Sequence, residues 1–159
     1  MRVWIDADAA PREVKEIVFR AVKRLEVEAV LVANQWLTEP PGNPFVSAVR
    51  VGGGPDVADR HIADNAEPGD VAITADIPLA ARLVEKQVTV IDPRGDEYTE
   101  ENVGERLAFR DLMDGLRGAG VLEDGGGGPR PYSPKDKQTF SATLDRVLTR
   151  VLRARQRAQ

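Results

Sequence analysis

Residues Arg2–Pro11 read RVWIDADAAP, and the change of character after Ile5 decides the fold. Val3, Trp4 and Ile5 form a short apolar run suited to a strand buried on both faces, and the run ends in Asp6, Ala7 and Asp8. Pro11 then stands at the first position of a helix, where its fixed φ is favourable and its missing N–H costs nothing. Strand, acidic turn and helix in that order suit a parallel α/β sheet. Ligands bind beyond the carboxyl ends of such strands, so Asp6 and Asp8 are expected on that rim. The plainer alternative is that Asp8 caps the helix and Asp6 only ends the strand. Two acids beside a buried strand exceed what one cap requires.

Working outward, Arg12 to Leu25 places Val14, Ile17, Val18, Ala21, Val22 and Leu25 at helical spacing, which predicts an amphipathic helix. Glu28 to Ala33 is a second buried strand with Asn34 at its exit, and the proline-rich run from Gln35 to Phe45 is a loop. Trp36 and Leu37 in that loop form either a lid or stacking platform or an ordinary contact with the body, the second being commoner. Val46 to Val51 is a short third strand, followed by Gly52, Gly53, Gly54 and Pro55, where the backbone has room to approach a ligand. A helix is expected over Asp56–Asn65, with Asp56 and Asp59 on one face; both acids are equally explained as charge placed well at a helix N-terminus. His61 reads as a surface or capping histidine. Glu67 to Asp70 is a turn, and Val71 to Thr74 a strand with Asp76 at its exit. A helix from Pro78 to Glu85 follows, then a fifth strand, Val88 to Ile91, ending in Asp92, Pro93, Arg94 and Gly95. This alternation predicts a three-layer α/β/α fold with a mainly parallel sheet of about five strands. Right-handed crossovers bring every strand exit to one side.

Thr99 is the expected N-cap of a helix reaching Leu116, with Val103, Leu107, Leu112, Met113 and Leu116 as its apolar contacts. A Gly/Pro-rich linker occupies residues 118–134. Ser133-Pro134-Lys135-Asp136 has the form of a capping box opening a basic amphipathic C-terminal helix, 134–155. Its stripe of Phe140, Leu144, Val147, Leu148, Val151 and Leu152 must be covered by the body or by another subunit, which leaves a homo-oligomer open.

The 159 residues, 42% hydrophobic and 30% charged, fit one domain, residues 1–159. No run is long and apolar enough for a bilayer and the start lacks a signal-peptide pattern, so no membrane association and a cytoplasmic location are expected. With no cysteine and one histidine, disulfides, thiol nucleophiles and imidazole-rich zinc sites are excluded. Lys135 to Gln159 carries seven basic and two acidic residues; the remainder carries 15 and 24. The basic tail is either a phosphate-backbone contact or a solvated helix face.

The strand exits and the turn before the second helix together deliver Asp6, Asp8, Asp56, Asp59 and Asp76. Crowded carboxylates need raised pKa values or a bound cation, and with so little imidazole the suitable guest is Mg²⁺ or Mn²⁺. Phosphoryl transfer is the chemistry suited to that guest. Asp6, Asp8, Asp59 and Asp76 are the expected metal ligands, with Asp56 assisting; Asn34, Gly53, Gly54, Asp92 and Arg94 are expected substrate contacts on the same rim.

At three blocks the chain resembles the YaiI/YqxD family of bacterial proteins: the opening strand with D-A-D-x-x-P, Gly52 to Lys86, and Asp92 to Val103. The S-P-K-D start of the final helix also matches. The resemblance implies a relationship to PIN-like domains, the metal-dependent ribonuclease fold, in which one acid ends the first strand, another lies on a mid-chain helix and a third follows a strand as T-x-D. The matching positions are Asp6, Asp56 or Asp59, and Asp76 after Thr74, with Asp8 matching the family's second opening acid. Members usually carry Cys where this chain has Ala10, so a thiol role does not transfer. The function so implied is a Mg²⁺- or Mn²⁺-dependent nuclease acting on RNA or single-stranded nucleic acid. Two alternatives stand beside it. One is a small-molecule phosphohydrolase, since the opening D-A-D and Gly69-Asp70 resemble haloacid-dehalogenase phosphatases. The other is a non-catalytic nucleic-acid-binding or regulatory module using Arg146, Arg150, Arg153, Arg155 and Arg157.

Overall fold

The apolar opening run forms β1 (Arg2–Asp6). In the computed structural model, which describes residues 1–120 and 130–159, it lies inside a six-stranded sheet. The other strands are β2 (Glu28–Ala33), β3 (Val46–Arg50), β4 (Val71–Ile73), β5 (Thr89–Ile91) and β6 (Glu97–Tyr98). Their order is β3-β2-β1-β4-β5-β6. All neighbours are parallel except β5 and β6, which form an antiparallel hairpin. Five strands were legible in the pattern of the chain; the two-residue β6 is an addition.

Five helices complete the layers: α1 (Arg12–Leu25), α2 (Val57–Asn65), α3 (Ile77–Glu85), α4 (Glu100–Gly118) and α5 (Pro134–Arg157). Because strand side chains alternate between faces, Val3, Ile5, Leu31 and Ile73 point into a core shared with α1 and α5. Trp4, Val30, Val32, Ala72 and Val90 point into the opposite core, with Ile62 of α2, Leu79 and Leu83 of α3, and Val103 of α4. The sheet is thus covered on both faces, as its near-continuous apolar strands require.

Helix boundaries follow capping chemistry, with one correction. Pro11 is the N-cap of α1 rather than its first residue: with φ −59° and ψ 151° it stays extended while its carbonyl accepts from Val14 N at 3.1 Å. Asp8 caps nothing; its Oδ2 accepts from the backbone N–H of Asn34 at 2.9 Å. At α5 the expected capping box is present, with Asp136 N donating to Ser133 Oγ at 3.2 Å and Ser133 N to Asp136 Oδ2 at 3.0 Å. Phe140, Leu144, Val147 and Leu148 are fully buried against α1 and the sheet, each contributing about 2 kcal/mol by burial. These four residues of the α5 stripe are therefore covered by their own chain, while Val151 and Leu152 are half-buried. α4 departs from expectation: only Val103 of its apolar residues is buried, and Leu112 is 59% exposed. The predicted linker falls largely outside the described residues. No helix among those described is long and apolar enough to cross a membrane.

Candidate metal and phosphate site

The sheet order reverses at β1. Elements after β1 build outward through β2 and β3, whereas β4 and β5 are laid down on its other side. Crevices open at such a reversal beyond the carboxyl ends of the two diverging strands. Here those strands are β1 and β4, and their exits are Asp6 and Thr74-Ala75-Asp76.

Asp6 ends β1 and is almost fully buried. Thr74 Oγ1 donates to Asp6 Oδ2 at 3.2 Å and itself accepts from Asp76 N at 3.0 Å, so one hydroxyl ties the two strand exits together. Asp76 Oδ1 then accepts from Leu79 N at 2.8 Å, capping α3. Asp59 reaches the same place from the first turn of α2, close enough for the charges of Asp76 and Asp6 to act on it. The glycine run serves this delivery. Gly54 has φ +137°, which disfavours any side chain, and Asp56 follows in the left-handed region at φ 64°, a conformation Asp adopts more readily than most residues. The chain is thereby turned into α2, whose first bond is Arg60 N to the Asp56 carbonyl at 2.9 Å.

The acids strain one another. Burial, then the charges of Asp76, Asp6 and Asp56, raise the Asp59 carboxyl to about 6. Asp6 is raised as well, first by burial and then by Asp76 and Asp8, with the Thr74 hydroxyl pulling the other way. Five carboxylates from three segments thus act on one electrostatic centre. Asp6, Asp59 and Asp76 form its interior, while Asp8 and Asp56 are exposed at its edges.

Of the other expected contacts, Asn34 stands on the same rim, exposed, its N–H held by Asp8. Gly53 is exposed, with open space where a side chain would stand. Asp92 accepts from Arg94 N at 2.5 Å within the turn to β6; burial raises it, the Arg94 bond opposes this, and Asp96 and Arg106 act on it in opposite senses. Arg94 points away from the crevice to Asp136, 2.8 Å distant, and to the carbonyl of Arg130. Arg130 forks onto Asp136 with two 2.8 Å bonds, and these guanidinium contacts hold the Asp136 carboxyl well below the usual carboxylate range. Arg94 is thus committed to anchoring α5.

Three arginines were missed. Arg60 from α2, Arg82 from α3 and Arg110 from α4 converge with Asp56, Asp59 and Asp76 around a cavity of about 540 Å³. Arg110 lies 3.8 Å from Asp111, whereas Arg60 and Arg82 are not ion-paired among the described residues. In sequence each is one more charge on a helix surface, and only the packing of α4 on α3 gathers them.

Asp70, expected in a turn and in the phosphatase alternative, is buried at the opposite end of the sheet. Its carboxylate accepts from Arg2 N at 2.9 Å, Trp4 Nε1 at 3.0 Å and Glu67 N at 2.9 Å. Two roomier cavities open there, of about 630 and 600 Å³, lined by Met1, Glu67, Asp70, Arg155 and, in the second, Gln159. With its oxygens engaged by three donors, Asp70 holds the fold and does not offer a site.

The oxygen-only donors at the crevice suit a hard divalent ion, and a cation would relieve the repulsion that raises Asp59. Among the described residues no three Asp, Glu or His side chains stand together in a group that could hold a metal ion.

The model of a protein family described as "Uncharacterized BCR, YaiI/YqxD family" matches residues 4–150. A "UPF0178 protein" of Myxococcus xanthus is 54% identical over 153 residues, covering 96% of this chain and 97% of the relative. One from Geobacter sulfurreducens is 53% identical over 153 residues, covering 96% and 99%. Another from Shewanella baltica is 49% identical over 150 residues, covering 94% and 97%. No solved structure matches the chain.

Proposed function

The chain belongs to the YaiI/YqxD family, and from its carboxylate crevice we propose a Mg²⁺- or Mn²⁺-dependent phosphodiester hydrolase acting on RNA or single-stranded nucleic acid, built on a PIN-like plan. One observation carries this reading: a cluster of mutually repelling acids and three arginines from three helices share one cavity. Acids alone would expel a phosphate, and arginines alone would bind one without transforming it. Together they suit a cation and a phosphodiester held side by side.

In this reading Asp6, Asp59 and Asp76 hold the ion, with Asp8 and Asp56 at its margin. A bound Mg²⁺ or Mn²⁺ supplies a water of lowered pKa and charge for the transition state. Thr74 positions Asp6 and the Asp76 backbone through its hydroxyl. Arg60, Arg82 and Arg110 receive the phosphate oxygens and the strand leaving them. The phosphatase alternative loses support, because Gly69 and Asp70 lie at the far end of the sheet.

Purified protein with Mn²⁺ is expected to cut single-stranded RNA or DNA, and Asp6→Asn and Asp76→Asn are each expected to lower cleavage by about a hundredfold or more. Undiminished cleavage by the double variant would refute the proposal.

A further inference from the structure

Trp36 is 80% exposed, although burial of a large aromatic side chain is favourable. The chain's other tryptophan, Trp4, is 3% exposed and bonded to Asp70, so the contrast is internal. The Trp36 loop is pinned on both sides of the indole. Asn34 N donates to Asp8 on one side, and Glu39 Oε1 accepts from Ala48 N at 3.1 Å on the other. A fixed loop therefore presents an uncovered ring. The guanidinium of Arg50, at the carboxyl end of β3, lies 4.6 Å from the ring centroid. The pair borders a hollow of about 280 Å³ that also includes Gln35 and Glu39.

Position gives this feature its meaning. Trp36 follows Asn34 by two residues, so their Cα atoms are within about 7 Å, and Asn34 is bonded directly to Asp8. The indole therefore stands on the same rim as the carboxylates, beyond the ends of β2 and β3. An aromatic face beside a cation is the arrangement on which single-stranded nucleic acids stack their bases, and a paired base has no free face to offer.

We infer that Trp36 and Arg50 form a stacking platform for an unpaired nucleobase, with the strand running from it toward the acids and Arg60, Arg82 and Arg110. This rests on the nucleic-acid reading of the crevice and sharpens it to a single-stranded substrate with one base seated away from the cleaved bond.

The full-length protein is titrated in Ca²⁺ with a ten-nucleotide single-stranded oligoadenylate and, separately, with a duplex of equal length, while tryptophan emission is followed. The single strand is expected to quench the exposed indole, leaving the buried Trp4 contribution, and the duplex to quench it little. Trp36→Ala is expected to weaken single-strand binding roughly ten- to a hundredfold, with Trp36→Phe between it and the wild type. Unchanged circular dichroism would show that these surface variants fold. Equal binding by Trp36→Ala and wild type, with cleavage still lost in Asp76→Asn, overturns the platform and leaves the hydrolase reading standing. A Trp36→Ala protein that binds the oligonucleotide normally but loses association with a protein partner overturns it in favour of a docking anchor. If the wild type neither binds nor cuts any strand, both readings fall.

Discussion

Asp59→Asn tests the electrostatic reading without any substrate. In the folded protein Asp59 holds its proton up to about pH 6, whereas an unfolded aspartate releases it near 3.8. Between those values the native state binds the extra proton, so raising the pH across that window removes stability from the metal-free protein. Above about pH 6 the full cost is present and the slope vanishes. Roughly two pKa units correspond to about 3 kcal/mol, which solvent screening of a half-exposed group reduces to on the order of 1 kcal/mol. Asn removes the charge. In chelator at pH 7.5 the variant is expected to be more stable than wild type by about 1 kcal/mol, or about 2–4 °C in Tm. At pH 4, close to the unfolded value of 3.8 and well below the folded one, little of the cost has developed and most of the advantage disappears. Saturating Mn²⁺ should invert the order, because a bound ion stabilises only the protein that can ligate it. Thermal and urea melts at both pH values, with chelator and with Mn²⁺, decide the matter. A variant less stable than wild type in chelator at pH 7.5 would show that no unrelieved negative charge exists in the crevice.

Replacing Arg60, Arg82 and Arg110 together by Ala should lower the slope of log affinity against log salt by about 2 for a single strand; an unchanged slope in filter binding would remove them from the phosphate path. Asp70→Ala strands three donors, two of them on the backbone and one on Trp4, and should cost about 3 kcal/mol without altering metal binding, with a shift in Trp4 emission as the readout.

Much of the architecture can be read along the chain because the central strands are apolar runs closed by an acid, an asparagine or a glycine turn. That pattern places Asp6 and Asp76 at strand exits before any coordinate is known. It also brings Asp59 close, since a helix must start after the glycine turn. What escapes is long-range. β6 has two residues, too few for alternation to register, and is held instead by the turn in which Asp92 N donates to the Asp96 carbonyl at 2.8 Å. The α4 spacing of Leu112 and Met113 shows an apolar side, but helical period cannot report whether anything packs there. Asp70 and Asp136 look like turn and cap residues because their partners, Trp4, Arg94 and Arg130, are chosen by the tertiary fold. The partner of Arg94 is out of sight for the same reason: it stands near a strand exit in sequence and bonds to a buried carboxylate on α5.

Met1 and Gln159 border one hollow at the foot of the sheet, with the acids at its head. A support, dye or affinity label attached through either terminus would therefore leave the crevice facing open solvent, approachable by a long polymer threading past without meeting the tether. Force applied across the two ends would load β1 and α5 while acting from the side remote from the chemistry.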